Sequence, residues 1–340
     1  MTITTIGLDI AKNVFQIHAV GEDGKVLLKR RLKRTEMLTF FSDLEPCVVG
    51  MEACCYAHFW ARELAKFGHE IRMMPPAYVK PYVRRGKTDQ IDAAAICEAA
   101  QRPHMRFVAI KSEEQQAALM LHRTRRALKR QQTRLINMIR ALMGELGLIA
   151  PLGPNKLGPL IAVIEAEDDE SIPSLARTAL RPLVDQLRVV IEAFEKIEGE
   201  IKRWHRSNTL SRRLATIPGI GFITASAIAA SVPDASYFRS GREFAAWLGL
   251  TPQQNSSGDK TRIGKISKKG DKYIREMLVV GATSILYRAR AGKTPAADWI
   301  NALEARRPTR LVTVAIANKA ARIAWAVMTS GRPYRAPTAA

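Results

Sequence analysis

The stretch ITTIGLDIAKNVFQIHAVGEDGKVLLKRRL (residues 3–32) decides the fold of the N-terminal part. TTIGLDI (4–10) and VFQIHAV (14–20) are rich in β-branched and aromatic residues, GEDG (21–24) is a turn, and KVLLKRRL (25–32) is a third extended run. Further on, PCVVGME (46–52) reads as a buried strand and YAHFWARELAKFG (56–68) as a helix stopped by Gly68. HEIRMM (69–74) is a strand ended by Pro75-Pro76, and the spacing predicts a helix from Asp89 to Ala100. Three successive strands followed by alternating strand and helix make an α/β layer pattern over residues 1–105.

The chain has 340 residues, 47% of them apolar, enough for a buried core and too many for a disordered chain. Its 53 Lys and Arg against 32 Asp and Glu leave a charge of +21, which favours a polyanionic partner, most simply nucleic acid. Cys47, Cys54, Cys55 and Cys97 form no CxxC pair and no zinc spacing, the usage of a reduced, cytoplasmic protein. MTITTIGLDIAKN is not expected to be a signal peptide, since no charged segment precedes an apolar core. The most apolar late stretch, Leu311 to Met328, is broken by Lys319 and Arg322, so no membrane partner is expected.

Two long helical segments fill residues 106–207. The first opens on a capping box, Ser112 with Gln115, and carries Leu121, Leu128, Leu135 and Leu142 every seven residues. Arg123, Arg126, Arg130 and Arg134 line another face; residues 121–140 hold seven basic residues and no acidic one, so this stripe is a candidate nucleic-acid contact. The second segment repeats Leu180, Leu183, Leu187, Val190, Phe194, Ile197, Ile201 and Trp204 with a 3–4 spacing, a coiled-coil seam, with Pro182 suited to its first turn. A Gly/Pro-rich link over 144–173 joins them, as a helical hairpin or a coiled-coil dimerisation arm. Residues 208–330 read as an all-α domain, and 331–340 as a tail. In LATIPGIGFITASAIAASV (214–232), a Pro-Gly-Ile-Gly turn between helices fits a helix-hairpin-helix element. There Gly219 and Gly221 would let backbone approach a phosphate; tight helix packing is the alternative. Lys260, Arg262, Lys265, Lys268, Lys269, Lys272 and Arg275, against Asp271 alone, form a second basic cluster.

Chemistry is suggested by four acids. Asp9 lies on the first strand and Glu52 ends the fourth; if those strands are neighbours, the two carboxylates converge. Asp89 and Asp92 are three apart, hence on one helical face. Taken singly, Asp9 could cap a turn and Asp89 could be a helix N-cap. Together they form an oxygen-donor set for Mg²⁺ or Mn²⁺, suited to work on a phosphodiester.

GLDIAK (7–12), GMEA (50–53) and GKTDQIDA (86–93) resemble the Asp-Glu-Asp-Asp (DEDD) transposases of bacterial insertion sequences. Their N-terminal domain is ribonuclease-H-like, of the RuvC resolvase type. IPGIGFITA (217–225) and FAAWLGLTPQQNSSGDKTRIGKISKKGDKYIR (244–275) are similar to the family's second, serine-containing domain. The resemblance covers nearly the whole chain in order, with a coiled-coil linker between the domains. It implies that Asp9, Glu52, Asp89 and Asp92 are the metal-binding catalytic tetrad and that Ser257, next to Ser256, is the nucleophile. It implies a recombinase of donor and target DNA, guided by a bridge RNA from its own element, that passes through a 5′-phosphoserine link. It further implies a composite site between subunits, dimers assembling to a tetramer, and a bacterial, nucleoid-associated location. The rival readings are a structure-specific endonuclease that uses water, and an architectural DNA-binding protein.

Overall fold

The computed structural model describes residues 2–83, 88–256, 262–294 and 296–336. The chain separates into two compact units, Met1–Ser112 with Val232–Asp234, and Glu113–Ser231 with Ala235–Ala340. The helical arm and the C-terminal helices, read from the sequence as separate regions, thus pack as one unit.

The first unit is built on β1 (Thr5–Ile10), β2 (Val14–Val20), β3 (Val26–Lys33), β4 (Val48–Glu52) and β5 (Glu70–Met74), ordered β3-β2-β1-β4-β5. The first three strands form an antiparallel meander; β4 and β5 then add in parallel. Pleating sends alternate residues to opposite faces. Ile6, Leu8, Phe15, Ile17 and Leu32 are buried on one face with residues of α1 (Met37–Ser42) and α2 (Ala57–Ala65), including Met37, Phe41, Trp60 and Leu64. A short α3 (Pro76–Val79) follows β5, and α4 (Asp89–Ala100) covers the other face, packing on β1, β2 and β4.

In the second unit, α5 (Glu113–Glu145), α6 (Gly158–Glu165) and α7 (Ser174–Ser207) share one core of Leu135, Ile139, Met143, Leu160, Ile164, Leu180, Val184, Leu187 and Val190. Within the chain the arm folds on itself as a hairpin, α5 packing against α7. The link between its long helices is not bare linker: α6 interrupts it, and the buried Arg177 guanidinium donates to the carbonyls of Val163, Ile164, Ala166 and Asp169. Pro182 is not at the first turn of its helix. α7 begins eight residues earlier, directly after Pro173, and Pro182 stands inside it, where it leaves the carbonyl one turn back without its amide donor.

The chain continues through α8 (Thr209–Leu214), α9 (Phe222–Ser231), α10 (Gly241–Trp247), the two-stranded ribbon β6 (Pro252–Gln254) and β7 (Ile263–Ile266), α11 (Lys272–Arg290), α12 (Ala297–Glu304) and α13 (Thr309–Ser330). α13 is long and apolar enough to cross a membrane, but it is a core helix: Val312, Ile316, Ala317, Ala321, Ala324 and Val327 are buried where it packs on α10 and α11.

Candidate active site

Asp9 and Glu52 are brought together by strand order. β1 and β4 are parallel neighbours in the register Gly7↔Gly50 and Leu8↔Met51, so the next rank sets Asp9 beside Glu52. Both carboxylates follow a glycine two residues back on the same face. A Cβ at Gly7 would stand 2.1 Å from the Ala93 carbonyl oxygen and 2.7 Å from the Cys97 Cβ; one at Gly50 would stand 2.6 Å from the Ala100 Cβ. These two hydrogen-only positions let α4 lie directly on the sheet, and that seating delivers its N-terminal acids to Asp9. Thr88, not Asp89, is the N-cap: its Oγ1 accepts from the Ile91 amide at 3.3 Å. Asp89 is thereby left without the N-cap role the sequence allowed it, and both Asp89 and Asp92 stand in the first turn.

The electrostatics report this convergence. Partial burial, then the charges of Asp92 and Asp89, push the Asp9 carboxyl up to about 6, against a single opposing hydrogen bond from the Ile10 amide. Burial, then Asp9 and Asp92, also raise Glu52. Among the described residues no lysine or arginine lowers either group. Among the described residues no three Asp, Glu, His or Cys side chains are drawn close enough to enclose an ion. Cys54 and Cys55 are exposed beside the quartet and Cys47 and Cys97 are buried; all four are free thiols.

A Gly7→Ala protein is therefore expected to fold with α4 displaced. Overpacking of this kind costs about 1–3 kcal/mol, read as a lower melting temperature, and strand cleavage should be lost with the displaced acids. A variant that cuts at the native rate would show that the seating of α4 is not needed.

Ser257 and Lys260 lie outside the described residues. Ser256 is exposed, and its Oγ accepts from Gln254 Nε2 at 3.1 Å and from the Arg262 amide at 3.3 Å, closing the end of the ribbon. Arg262, Lys265, Lys268, Lys269 and Lys272 are exposed. Arg275 is not among the available cations: it is 9% exposed and its guanidinium donates to the Leu248 and Lys269 carbonyls, both at 2.8 Å. Those carbonyls stand where the chain enters and leaves the ribbon. Backbones also touch there, since a Cβ at Gly270 would lie 1.8 Å from the Trp247 oxygen. Arg275→Ala should strand both carbonyls, at about 1–3 kcal/mol each, and lower the melting temperature sharply; an unchanged melt would deny Arg275 this clamping role.

The arginine stripe is also divided. Arg123, Arg130 and Arg134 are exposed, whereas Arg126 turns inward, bonding both oxygens of Glu276 at 2.8 and 3.1 Å and lying over Tyr273. The acidic partner missing from the local sequence comes from α11. Gly219 has a packing reason for lacking a side chain: φ is +80°, and it meets Gly281 of α11 so closely that a Cβ on Gly281 would lie 1.9 Å from the Gly219 oxygen. The open space around Gly221 contrasts with it. Sequence reasoning missed the Gly7 and Gly50 seats, although the pairing of Gly-Leu-Asp with Gly-Met-Glu was a visible signal.

A family described as "Transposase", of the DEDD IS110 type, matches residues 6–147, and one described as "Transposase IS116/IS110/IS902 family" matches residues 211–296. A "Probable family 20 transposase" of Pseudomonas aeruginosa is 46% identical over 98% of this chain and 99% of its own. The transposase for insertion sequence element IS1328 of Yersinia enterocolitica is 40% identical over 98% of both chains. The transposase for IS1111A of Coxiella burnetii is 37% identical over 98% of this chain and 92% of its own. Relatives this similar over their whole length establish that the chain belongs to the IS116/IS110/IS902 family of DEDD insertion-sequence transposases, enzymes that act on DNA.

Proposed function

We propose that this transposase cuts and rejoins donor and target DNA with Asp9, Glu52, Asp89 and Asp92 as holders of Mg²⁺ or Mn²⁺ and Ser257 as nucleophile, under the guidance of a bridge RNA. The observation that carries the reading is the coupling of Asp9 to Glu52, Asp89 and Asp92, acids from three separate elements with no lysine or arginine among the described residues lowering Asp9 or Glu52. Carboxylate oxygens are the donors that hard divalent cations prefer, and such a cation supplies charge neutralisation at a phosphodiester. The sheet order β3-β2-β1-β4-β5, with acids on β1, at the end of β4 and on the covering helix, supports a ribonuclease-H-like assignment for this unit.

The Ser257 Oγ attacks the scissile phosphorus, a P–O–Ser bond forms, and the bond to the 3′ oxygen breaks. The serine proton ends on the released 3′-hydroxyl. Ser257 is preferred to Ser256 because the Ser256 hydroxyl already bridges the ribbon. Exposed Arg262, Lys265, Lys268 and Lys269 follow in sequence and offer charge to a bound phosphate. Delegation of sequence reading to base pairing agrees with a chain rich in Lys and Arg and poor in aromatics. Exposed Arg123, Arg130 and Arg134 are assigned to RNA or DNA backbone. The open N-terminal turn of α9 at Gly221 is the remaining part of the helix-hairpin-helix expectation. Dimers assembling to a tetramer in the bacterial cytoplasm, at the nucleoid, complete the reading.

The test is complementation. Asp9→Asn and Ser257→Ala proteins should each be inactive alone, and their mixture should regain cleavage, because hetero-oligomers assemble one intact composite site. No recovery in a mixture shown to form hetero-oligomers would overturn the shared site.

A further inference from the structure

We propose that the exposed edge of the N-terminal sheet, through Lys29 and Arg31 of β3, is a phosphate track for the DNA strand that enters the acidic centre. The inference rests on the reading of that centre as the place where DNA is cut.

Cross-strand pairing sets Asp9 opposite Gln16, and Gln16 opposite Arg31. Directly paired residues share a face of the sheet. Arg31, Gln16, Asp9 and Glu52 therefore form one transverse rank on the face that carries α4. The neighbouring rank runs Lys29, His18, Gly7, Gly50. Burial and the Lys29 charge both hold His18 below its ordinary pKa, an independent sign that Lys29 stands on that face. The opposite face is occupied differently: Leu32 is in the core and Arg30 lies over the Phe40 ring at 5.5 Å.

α4 seats on the glycines of β1 and β4, leaving Lys29 and Arg31 on the edge strand exposed. No carboxylate pairs with either among the described residues. Between them and the acids lies Gln16, paired with Asp9 on one side and Arg31 on the other. Two strand spacings, about 10 Å, separate the Arg31 and Asp9 backbones. Along one DNA strand charges recur every ~3.4 Å of helix axis, so cations at this distance meet phosphates flanking the one at the acids. That continuity with the cutting centre selects the DNA strand over the guide RNA.

The experiment compares full-length native protein with Lys29→Gln/Arg31→Gln. Binding of a labelled DNA oligonucleotide, and separately of an RNA oligonucleotide, is measured over a KCl series. Two lost contacts should flatten the log–log salt slope for DNA by roughly 1.4 to 1.8, at about 0.7 to 0.9 per contact. Lys29→Arg/Arg31→Lys should restore it, and Arg30→Gln, on the other face, should leave it native. The slope does not depend on the active fraction, so a folding defect cannot imitate the result. An unchanged DNA slope overturns the track, as does an equal loss in Arg30→Gln or a loss confined to RNA. Cleavage by Asp9→Asn is measured alongside. If Asp9→Asn still cuts, the reading of the acidic centre has failed; if it does not cut while the slope is unchanged, the track alone has failed.

Discussion

A Ser257→Ala protein is expected to lose the covalent protein–DNA adduct entirely while still binding DNA and RNA. Hydrolysis by a metal cluster would discard the phosphodiester bond energy, and the strands would then need an external source of energy to be rejoined. A phosphoserine ester keeps that energy within the complex, and an incoming 3′-hydroxyl can attack it, returning the proton to serine as the new P–O bond forms. A serine hydroxyl is a weak nucleophile without activation. In the proposed mechanism its help is the exposed charge of Arg262, Lys265, Lys268 and Lys269, which follow it in sequence. Denaturing electrophoresis of end-labelled DNA with protein, guide RNA and Mg²⁺ should show a protein-linked band with the native chain and none with Ser257→Ala. Ser256→Ala should keep the adduct at reduced yield, because it removes the bonds from Gln254 and the Arg262 amide that close the ribbon. An adduct that survives Ser257→Ala and vanishes with Ser256→Ala would move the nucleophile by one residue. Cleavage with no adduct under any condition would end the serine mechanism.

What could be read in the residues, and what could not, divides along a physical line. The five strands and α4 were legible because local composition and turn chemistry agree with their tertiary roles. The helix expected from Asp89 to Ala100 has those bounds. β6 and β7 were not legible: PQQ and IGKI are short, polar and exposed, and carry no hydrophobic period. α6 was hidden by the glycines and prolines around it. Charge posed a different difficulty. Arg126 and Arg130 are equivalent in the local pattern, yet only Arg126 meets Glu276, which lies 150 residues away in the chain. Arg275 looks like its neighbour Lys272 until the carbonyls of Leu248 and Lys269 are placed around it. The four acids could be picked out by type and spacing. Their convergence depends on Gly7 and Gly50, whose meaning appears only when β1 and β4 are neighbours under α4.

The acidic quartet has a cost that predicts a second large effect. Asp9→Asn should lower strand cleavage by roughly a thousandfold or more, the scale of losing one member of a catalytic set, and yet make the metal-free protein more stable. In the folded chain the Asp9 carboxyl is held at about 6, against an ordinary 3.8. The folded state therefore binds this proton more tightly than the unfolded state does. Stability from the protonated form is fully present below pH 3.8, falls as pH rises through that window, and is gone above about 6. At pH 8 the native chain bears the full repulsion and an asparagine does not. The shift corresponds to about 1–2 kcal/mol once solvent screening of a half-buried group is allowed for, a few degrees in melting temperature for the full-length chain. The gap should close as pH is lowered toward 4. A divalent cation acts on the same term: Mg²⁺ should raise the native melting temperature at pH 8 and move Asp9→Asn much less, since binding stabilises the state that binds. Melts of both proteins at pH 4 and pH 8, with EDTA and with Mg²⁺, decide the matter. If Asp9→Asn melts below the native protein at pH 8 in EDTA, or if Mg²⁺ stabilises the two equally, the four carboxylates are not the mutually repelling, cation-seeking centre that the strand order and the helix seating bring together.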